Sequence, residues 1–181
     1  MKDIQQQQLT GVILDLRNDP GGLLDEAAGV VSQFLDKGDV LQEKDAQGRI
    51  KAIPVLPGGV AIELPLVVLI NQGTASAAEI AAGALQDAHR AELVGETTFG
   101  TGTVLNEFRL SDGSALLLAT EEWLTPQGRV IWHKGITPDG VVSLPPDASP
   151  LIPEVERDLT PTQFQTSPDS QLLGALNLLT H

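Results

Sequence analysis

Two short apolar runs constrain this chain most. Residues 11–16 read Gly-Val-Ile-Leu-Asp-Leu, and residues 65–70 read Pro-Leu-Val-Val-Leu-Ile. Neither alternates polar with apolar residues, so each predicts a strand covered on both faces. Each run leads into a glycine-bearing turn, Arg17-Asn18-Asp19-Pro20-Gly21-Gly22 and Asn71-Gln72-Gly73-Thr74-Ala75. Apolar residues at helical spacing follow both turns. The first helix is expected over 23–35, with Leu24, Ala27, Ala28, Val31, Phe34 and Leu35 facing inward and Gly38 as its C′ residue. The second is expected over 76–88. Gly83 inside it costs about 1 kcal/mol relative to alanine, which predicts a close packing contact there. Strand ends of this kind are where α/β domains place their sites.

The remaining elements are shorter. Val40 and Leu41 open a strand that returns as a hairpin through 50–55, around Gln47-Gly48. Residues 92–95 make another short strand. Runs 104–109 and 115–120 flank Ser111-Asp112-Gly113, a hairpin signal. Residues 123–139 read as a ribbon of short strands and turns. The order predicts an α/β domain with a mixed β-sheet, flanking helices and β-hairpins. Residues 1–142 form the core. Residues 143–170, rich in Pro, Asp, Ser and Thr, form an extended surface segment. Residues 171–181 form a closing helix, with Leu172, Leu173, Leu176 and Leu179 on one side.

Composition removes several classes of function. The 181 residues carry a formal net charge of −13, so a nucleic-acid partner is disfavoured. There is no cysteine, which excludes thiol catalysis, thiolate metal sites and disulfides. His89, His133 and His181 lack metal-ligand spacing, so no metal is expected. No cofactor signature is present. No apolar run is long enough to span a membrane. Residues 1–8 lack the apolar core of a signal peptide. The chain starts only a few residues before a core strand, which suggests a piece of a longer protein.

The chemistry concentrates at Ser76. Serine hydrolysis needs an exposed hydroxyl, a base, and donors for the developing oxyanion. Ser76 follows a buried strand and a glycine turn and opens a helix. The N–H of Ala77, with one from Gly21 or Gly22, fits the oxyanion role, because glycine lets backbone approach a substrate carbonyl. Glu79 lies one turn further along the helix face. Spacing alone favours a plainer alternative, in which Ser76 caps the helix and Glu79 completes a capping box.

The wider pattern resembles a known family. Residues 11–27 (Gly-Val-Ile-Leu-Asp-Leu-Arg-Asn-Asp-Pro-Gly-Gly-Leu-Leu-Asp-Glu-Ala) and 73–80 (Gly-Thr-Ala-Ser-Ala-Ala-Glu-Ile) resemble signatures of C-terminal processing peptidases, also called tail-specific proteases. So do Leu85-Gln86-Asp87, Val94-Gly-Glu-Thr-Thr-Phe-Gly100, Asp112-Gly-Ser-Ala-Leu116, Thr125-Pro-Gln-Gly-Arg129 and Lys134-Gly-Ile-Thr-Pro-Asp139. The tail from Asp169 looks like the family's closing helix. The resemblance implies a crotonase-like, ClpP-related core and a secreted or periplasmic serine endopeptidase acting on peptide or protein C-termini. It implies Ser76 as nucleophile; Glu79, close by on the same helix face, is expected to orient. It is also compatible with a homo-oligomer.

Two positions depart from the family pattern. The family's base is a neutral lysine, whose pKa burial can lower, in a Phe-Gly-Lys-Gly-x-Val-Gln segment. Here Thr101 holds the lysine position and Leu105 the glutamine position. A threonine hydroxyl is no stronger a base than serine's. Losing one member of a serine triad typically leaves only about 10³–10⁴-fold catalysis over water. Glu79, His89, His133 and lysines 2, 37, 44, 51 and 134 are the candidate substitutes. His89 lies about 20 Å along the helix from Ser76 at about 1.5 Å per residue. The family's PDZ domain has no counterpart among these residues. The sequence therefore leaves open a processing peptidase, a catalytically inactive relative that binds peptides or assembles with partners, and, on shared fold alone, a crotonase-type acyl-CoA enzyme.

Overall fold

The computed structural model describes residues 9–180; Lys2 and His181 lie outside them. The expected mixed sheet resolves into two four-stranded sheets. Strands β1 (Val12–Asp15), β4 (Leu66–Ile70), β5 (Glu92–Gly95) and β8 (Gly140–Val141) form a parallel sheet in the order β1-β4-β5-β8. Strands β2 (Asp39–Asp45), β3 (Ile50–Pro54), β6 (Thr103–Arg109) and β7 (Ala115–Leu124) form an antiparallel sheet in the order β3-β2-β7-β6.

The parallel sheet carries the core. All five residues of β4 are buried, and helices α1 (Leu24–Val31) and α2 (Ala77–Asp87) pack on each other and share one buried cluster with Leu66, Val68 and Ile70. Each fully buried Leu, Ile or Val contributes about 1.5–3 kcal/mol relative to exposure. Gly83 behaves as expected: a Cβ there would lie 2.9 Å from Thr125 Cγ2 and 3.1 Å from Ile136 Cδ1. Strand β1 differs from its expectation. It is an edge strand, paired only with β4, and its residues are half-buried or exposed.

Other boundaries also move. Helix α1 ends at Val31 rather than near residue 35, with Ser32 as C-cap. The Ser32 hydroxyl donates to the Ala28 carbonyl at 2.6 Å and accepts from Leu56 N–H at 2.8 Å, pulling the chain out of the helix. Gly38 therefore sits in a later turn and is not the C′ residue. Trp123 and Leu124 close β7, and residues 125–139 contain turns and one isolated bridge, Leu124 to Val130, instead of a ribbon of strands.

The segment after 142 is more ordered than its composition suggests. It holds two short helices, α3 (Pro153–Glu156) and α4 (Pro161–Gln165), before the closing helix α5 (Ser170–Thr180). Helix α5 buries Gln171, Leu172 and Ala175 against the parallel sheet. Asp169 anchors it: the fully buried carboxylate accepts Arg17 Nη1 at 2.8 and 2.9 Å and the N–H groups of Leu172 and Leu151. Arg17 in turn grips Asp15 at 2.7 Å. Burial alone would raise the Asp169 pKa, but the Arg17 and backbone hydrogen bonds outweigh it and hold the carboxyl below its usual range.

Candidate active site

The site forms where three loops meet at the C-terminal ends of the parallel strands. The first is 16–22 after β1, the second 71–76 after β4, and the third 96–102 after β5. Thr74 joins all three. Its buried hydroxyl donates to the Leu16 carbonyl at 2.7 Å and accepts from Asn71 N–H at 3.0 Å. Its carbonyl accepts Phe99 N–H at 2.9 Å. Asn18 and Asn71 add a reciprocal pair: Asn18 N–H donates to Asn71 Oδ1 at 2.9 Å, and Asn71 Nδ2 donates to Asn18 Oδ1 at 3.0 Å.

Ser76 is the N-cap of α2, but its backbone separates it from the other caps. Leu23, Ile152 and Thr160 cap with extended backbone, at φ −79°, −105° and −69° and ψ 142°, 153° and 156°. An ordinary cap takes that conformation. Ser76 has φ 54° and ψ −121°, a sparsely populated region for a residue with a side chain. Strain of this kind persists only where the surroundings impose it, which makes Ser76 the candidate nucleophile of this strand-to-helix elbow. Gly21, at φ 91°, packs straight onto the elbow. A Cβ there would lie 2.6 Å from the Ala75 carbonyl, 2.8 Å from Ala77 N and 2.9 Å from Ser76 Cβ.

Glu79 is the brace. Its side chain is fully buried. Oε2 accepts Ser76 N–H at 3.0 Å and Thr101 N–H at 2.7 Å; Oε1 accepts Gly100 N–H at 2.7 Å and the Thr98 hydroxyl. The Ser76 elbow and the loop of Thr101 thus hang on one carboxylate. An ionised carboxylate has about four acceptor positions, and all four are taken. Glu79 is consumed in holding the site and has no free lone pair for the Ser76 proton.

The other base candidates lie elsewhere. Lys44 pairs with Glu122 and Lys51 with Glu43 on the antiparallel sheet. Lys37 is exposed in the turn after α1, and His89 is exposed beyond the end of α2. The 131–136 turn packs under the third loop: His133 N–H donates to the Gly100 carbonyl at 3.0 Å, and Ile136 N–H to Thr98 Oγ1 at 2.7 Å. Lys134 and His133 are both exposed on this turn, and the His133 ring lies against Trp132. Among the described residues, no lysine or histidine side chain hydrogen-bonds to Ser76 or Thr101. Thr101 is half-buried, and Leu105 is exposed on β6, beside a register shift at Val104.

The oxyanion candidates separate by what their N–H groups do. Gly21 N–H donates to Asp19 Oδ1 at 2.8 Å, so it is engaged. Among the described residues, the N–H groups of Gly22 and Ala77 donate to no protein acceptor. Both border a cavity of about 150 Å³, lined mainly by Leu16, Leu23, Ala27, Val30, Ala78 and Ala81, with Asp19 and Glu26 at its wall.

Sequence reasoning did not single out Thr74, Thr98, Asn18 or Asn71. A threonine or asparagine inside a glycine turn carries little individual signal. Asn18, at φ 58°, did offer one, because asparagine tolerates left-handed backbone better than most residues.

A strained serine elbow at a helix start, free N–H donors beside it and an apolar cavity alongside define a serine-hydrolase frame. Residues 1–142 match peptidase family S41, and the chain belongs to that family. The carboxyl-terminal-processing protease of Synechocystis sp. is 42% identical over 181 residues, covering 99% of this chain and 39% of its own length. The carboxy-terminal processing protease CtpA of Bacillus subtilis is 39% identical over 157 residues, 87% of this chain and 33% of that protein. The chain thus spans well under half the length of these relatives. A photosystem II D1 C-terminal processing protease superposes with a TM-score of 0.75 at 37% identity, over 80% of this chain and 38% of that one. A putative S41 protease from Bacteroides fragilis has the same fold, with a TM-score of 0.72 at 20% identity, over 98% of this chain and 46% of that one.

Proposed function

We propose that this chain is the core of a C-terminal processing serine peptidase in which the nucleophile frame is kept and the proton acceptor is missing. Ser76 is the nucleophile position. The N–H groups of Gly22 and Ala77 are the oxyanion donors. Gly21 supports the elbow by close packing, since its own N–H is engaged by Asp19. The small apolar cavity beside these donors admits a small aliphatic side chain next to the scissile carbonyl. Thr101 stands where the family has its base. Hydrolysis by the unaided chain is therefore slow, and peptide binding outlasts it. The carrying observation is the Ser76 backbone, at φ 54° and ψ −121°. A residue that merely capped a helix would have no reason to hold it.

Binding of peptide or protein C-termini, a secreted or periplasmic setting and self-association extend this reading through the family. No helix of the described residues is long and apolar enough to cross a membrane. Family membership takes the place of the acyl-CoA alternative, which rested on fold analogy.

A fluorophosphonate probe tests the proposal, because it labels only an activated serine. Wild type is expected to label at the rate of Ser76→Ala, and Thr101→Lys to label much faster. Rapid labelling of wild type that vanishes in Ser76→Ala would show a substitute base and overturn the reading of a missing acceptor.

A further inference from the structure

The β6–β7 hairpin leaves the body of the molecule unaccompanied. Val104 still packs on the core, but β7 pairs with β2 only through residues 121–124. Among the described residues, 105–119 therefore have no strand beside them but each other, and every one of them is exposed. A two-stranded hairpin is marginally stable at best in water and needs a further strand or a covering element. This one is also apolar. Phe108 sits opposite Leu116 and Asn106 opposite Leu118, so Phe108, Leu116 and Leu118 share one face; each is 44–46% exposed.

Charge sets the arm apart as well. Residues 105–119 contain Glu107, Arg109 and Asp112 as their only charged side chains, in a chain of net charge −13. Two copies of so acidic a chain repel over most of their surfaces, and least here. The other edge of the same sheet is protected: β3 carries Lys51 and Pro54, residues that keep an edge from pairing. The β6 edge has neither. Leu110 N–H donates to the Ser114 carbonyl at 2.8 Å. Antiparallel alternation then turns the main-chain groups of Asn106 and Phe108 toward β7, and those of Leu105, Glu107 and Arg109 outward.

We propose that the arm is a dimerisation element: β6 pairs antiparallel with β6 of a second copy, about a two-fold axis through Phe108. Such an axis must bring outward-facing residues together, so it passes through residue 106, 107, 108 or 109. A centre at Glu107 or at Arg109 sets like charges directly opposite, which is destabilising. A centre at Asn106 sets Glu107 against Leu105 and leaves both charges without a counterpart. A centre at Phe108 sets each Glu107 opposite the Arg109 of the other copy, twice over. It also sets Phe108 on Phe108 in the non-hydrogen-bonded pair, where side chains come closest. Within one copy Arg109 Nε donates to Glu107 Oε1 at 3.1 Å, so both exposed side chains already lie on one side of the strand, placed for that exchange. The two hairpins become a four-stranded sheet with Phe108, Leu116 and Leu118 of both copies on one face. The inference deepens the self-association proposed above and rests on that reading only for the kind of partner; the surface and its register come from β6.

The chain has no cysteine, so a single introduced thiol reports on one position. Under mild oxidation Phe108→Cys is expected to link to its own copy, because Cα atoms about 4.5 Å apart lie within disulfide reach. Leu117→Cys, on the outer strand and more exposed, is expected not to link, since the two β7 strands lie three strand spacings, about 14 Å, apart. Sedimentation velocity tests the charges. Glu107→Arg alone and Arg109→Glu alone each turn two attractive pairs into two repulsive ones, and each is expected to weaken dimerisation about tenfold or more. Mixed in equal amounts, the two variants regain both attractive pairs and are expected to associate with each other. A wild-type monomer at every accessible concentration overturns the proposal. So does linking of Leu117→Cys as fast as Phe108→Cys, or a mixture of the charge variants that associates no better than either alone. Fluorophosphonate labelling of Thr101→Lys reports on Ser76 alone: labelling without dimers sinks this inference and spares the peptidase reading, and dimers without labelling do the reverse.

Discussion

The elbow at 71–79 and the loop at 97–105 face each other across one carboxylate, yet they differ in what they have kept. The elbow retains its strained backbone, its supporting glycine and its serine. On the proposed reading, the loop retains its backbone but carries Thr101 and Leu105 where the family resemblance implies a lysine and a glutamine. Glu79 explains how the two could part. It holds the loop through the N–H groups of Gly100 and Thr101 and through the Thr98 hydroxyl. None of these contacts involves the side chain at 101. Gly100, at φ 91°, fixes the same backbone from below, where a Cβ would lie 3.1–3.2 Å from the N atoms of Gly135, His133 and Lys134. On that reading the geometry of the site is carried by groups other than the side chain at 101, and a change at 101 would cost chemistry without costing structure.

The sharpest way to break this comparison is to refill the vacant position. Thr101→Lys places an amine on a loop whose backbone is already fixed. General-base catalysis typically contributes about 10²–10⁴-fold, so fluorophosphonate labelling is expected to accelerate by that order, with the urea midpoint nearly unchanged. If labelling rates match wild type, the loop frame is not productive and the two regions have diverged in geometry as well as in side chains.

Glu79→Gln attacks what the regions share. The amide keeps one acceptor oxygen and turns an NH₂ toward N–H donors, leaving buried groups unpaired. Hydrogen bonds to a charged partner are worth about 1.5–3 kcal/mol each, and two are lost at the least. Urea unfolding is expected to show about 3–5 kcal/mol of destabilisation, and labelling in the Thr101→Lys background is expected to disappear. A stable Glu79→Gln protein would mean that the elbow and the loop hold themselves separately.

The same contrast governs what the sequence disclosed. Strands β4 and β5 and helix α2 were legible to within a residue, because continuous apolar runs and helical spacing reflect burial directly. Ser76 was legible only as one of two readings, since Ser-x-x-Glu is both a capping box and a nucleophile segment. The structure contains the Glu79 half of that box, from Ser76 N–H to Oε2, so the two readings coexist. What distinguishes them is a dihedral angle, which spacing does not encode. The two residues of β8 carry no periodicity, and their pairing with β5 is decided by Asp139, which accepts Leu93 N–H at 2.8 Å. Asp169 was hidden in a polar segment because its partner, Arg17, lies 152 positions away.

That ion pair offers a third test, on the side of the elbow away from Thr101. Arg17 opens the turn that carries Gly21, and both Arg17 and Asp169 are buried. Asp169→Asn leaves the guanidinium with Asp15, itself partly exposed, as its remaining carboxylate. Breaking a buried pair costs about 3–5 kcal/mol, and the surviving Asp15 contact puts the expected loss at about 2–3 kcal/mol in urea. The pH dependence has a definite sign. A carboxyl whose folded pKa is depressed stabilises fully above its unfolded value, and that contribution drains away as pH falls through the folded one. Wild-type stability is therefore expected to drop on acidification below the ordinary carboxylate range. Asp169→Asn should show a shallower decline over the same interval, and parallel curves would mean that another carboxylate controls acid unfolding.

The smallest effect belongs to Leu105. It is 59% exposed near the start of β6, so Leu105→Gln removes little buried surface, and stability should move by no more than about 0.5 kcal/mol. Alone it restores no base, and labelling should stay at the Ser76→Ala level. Combined with Thr101→Lys, it is expected to raise labelling a further few-fold, because a lysine works as a base only when something orients its amine. Two residues that act on one proton couple, whereas independent ones add. A double variant that labels no faster than Thr101→Lys would mean that position 105 has no part in the catalytic arrangement.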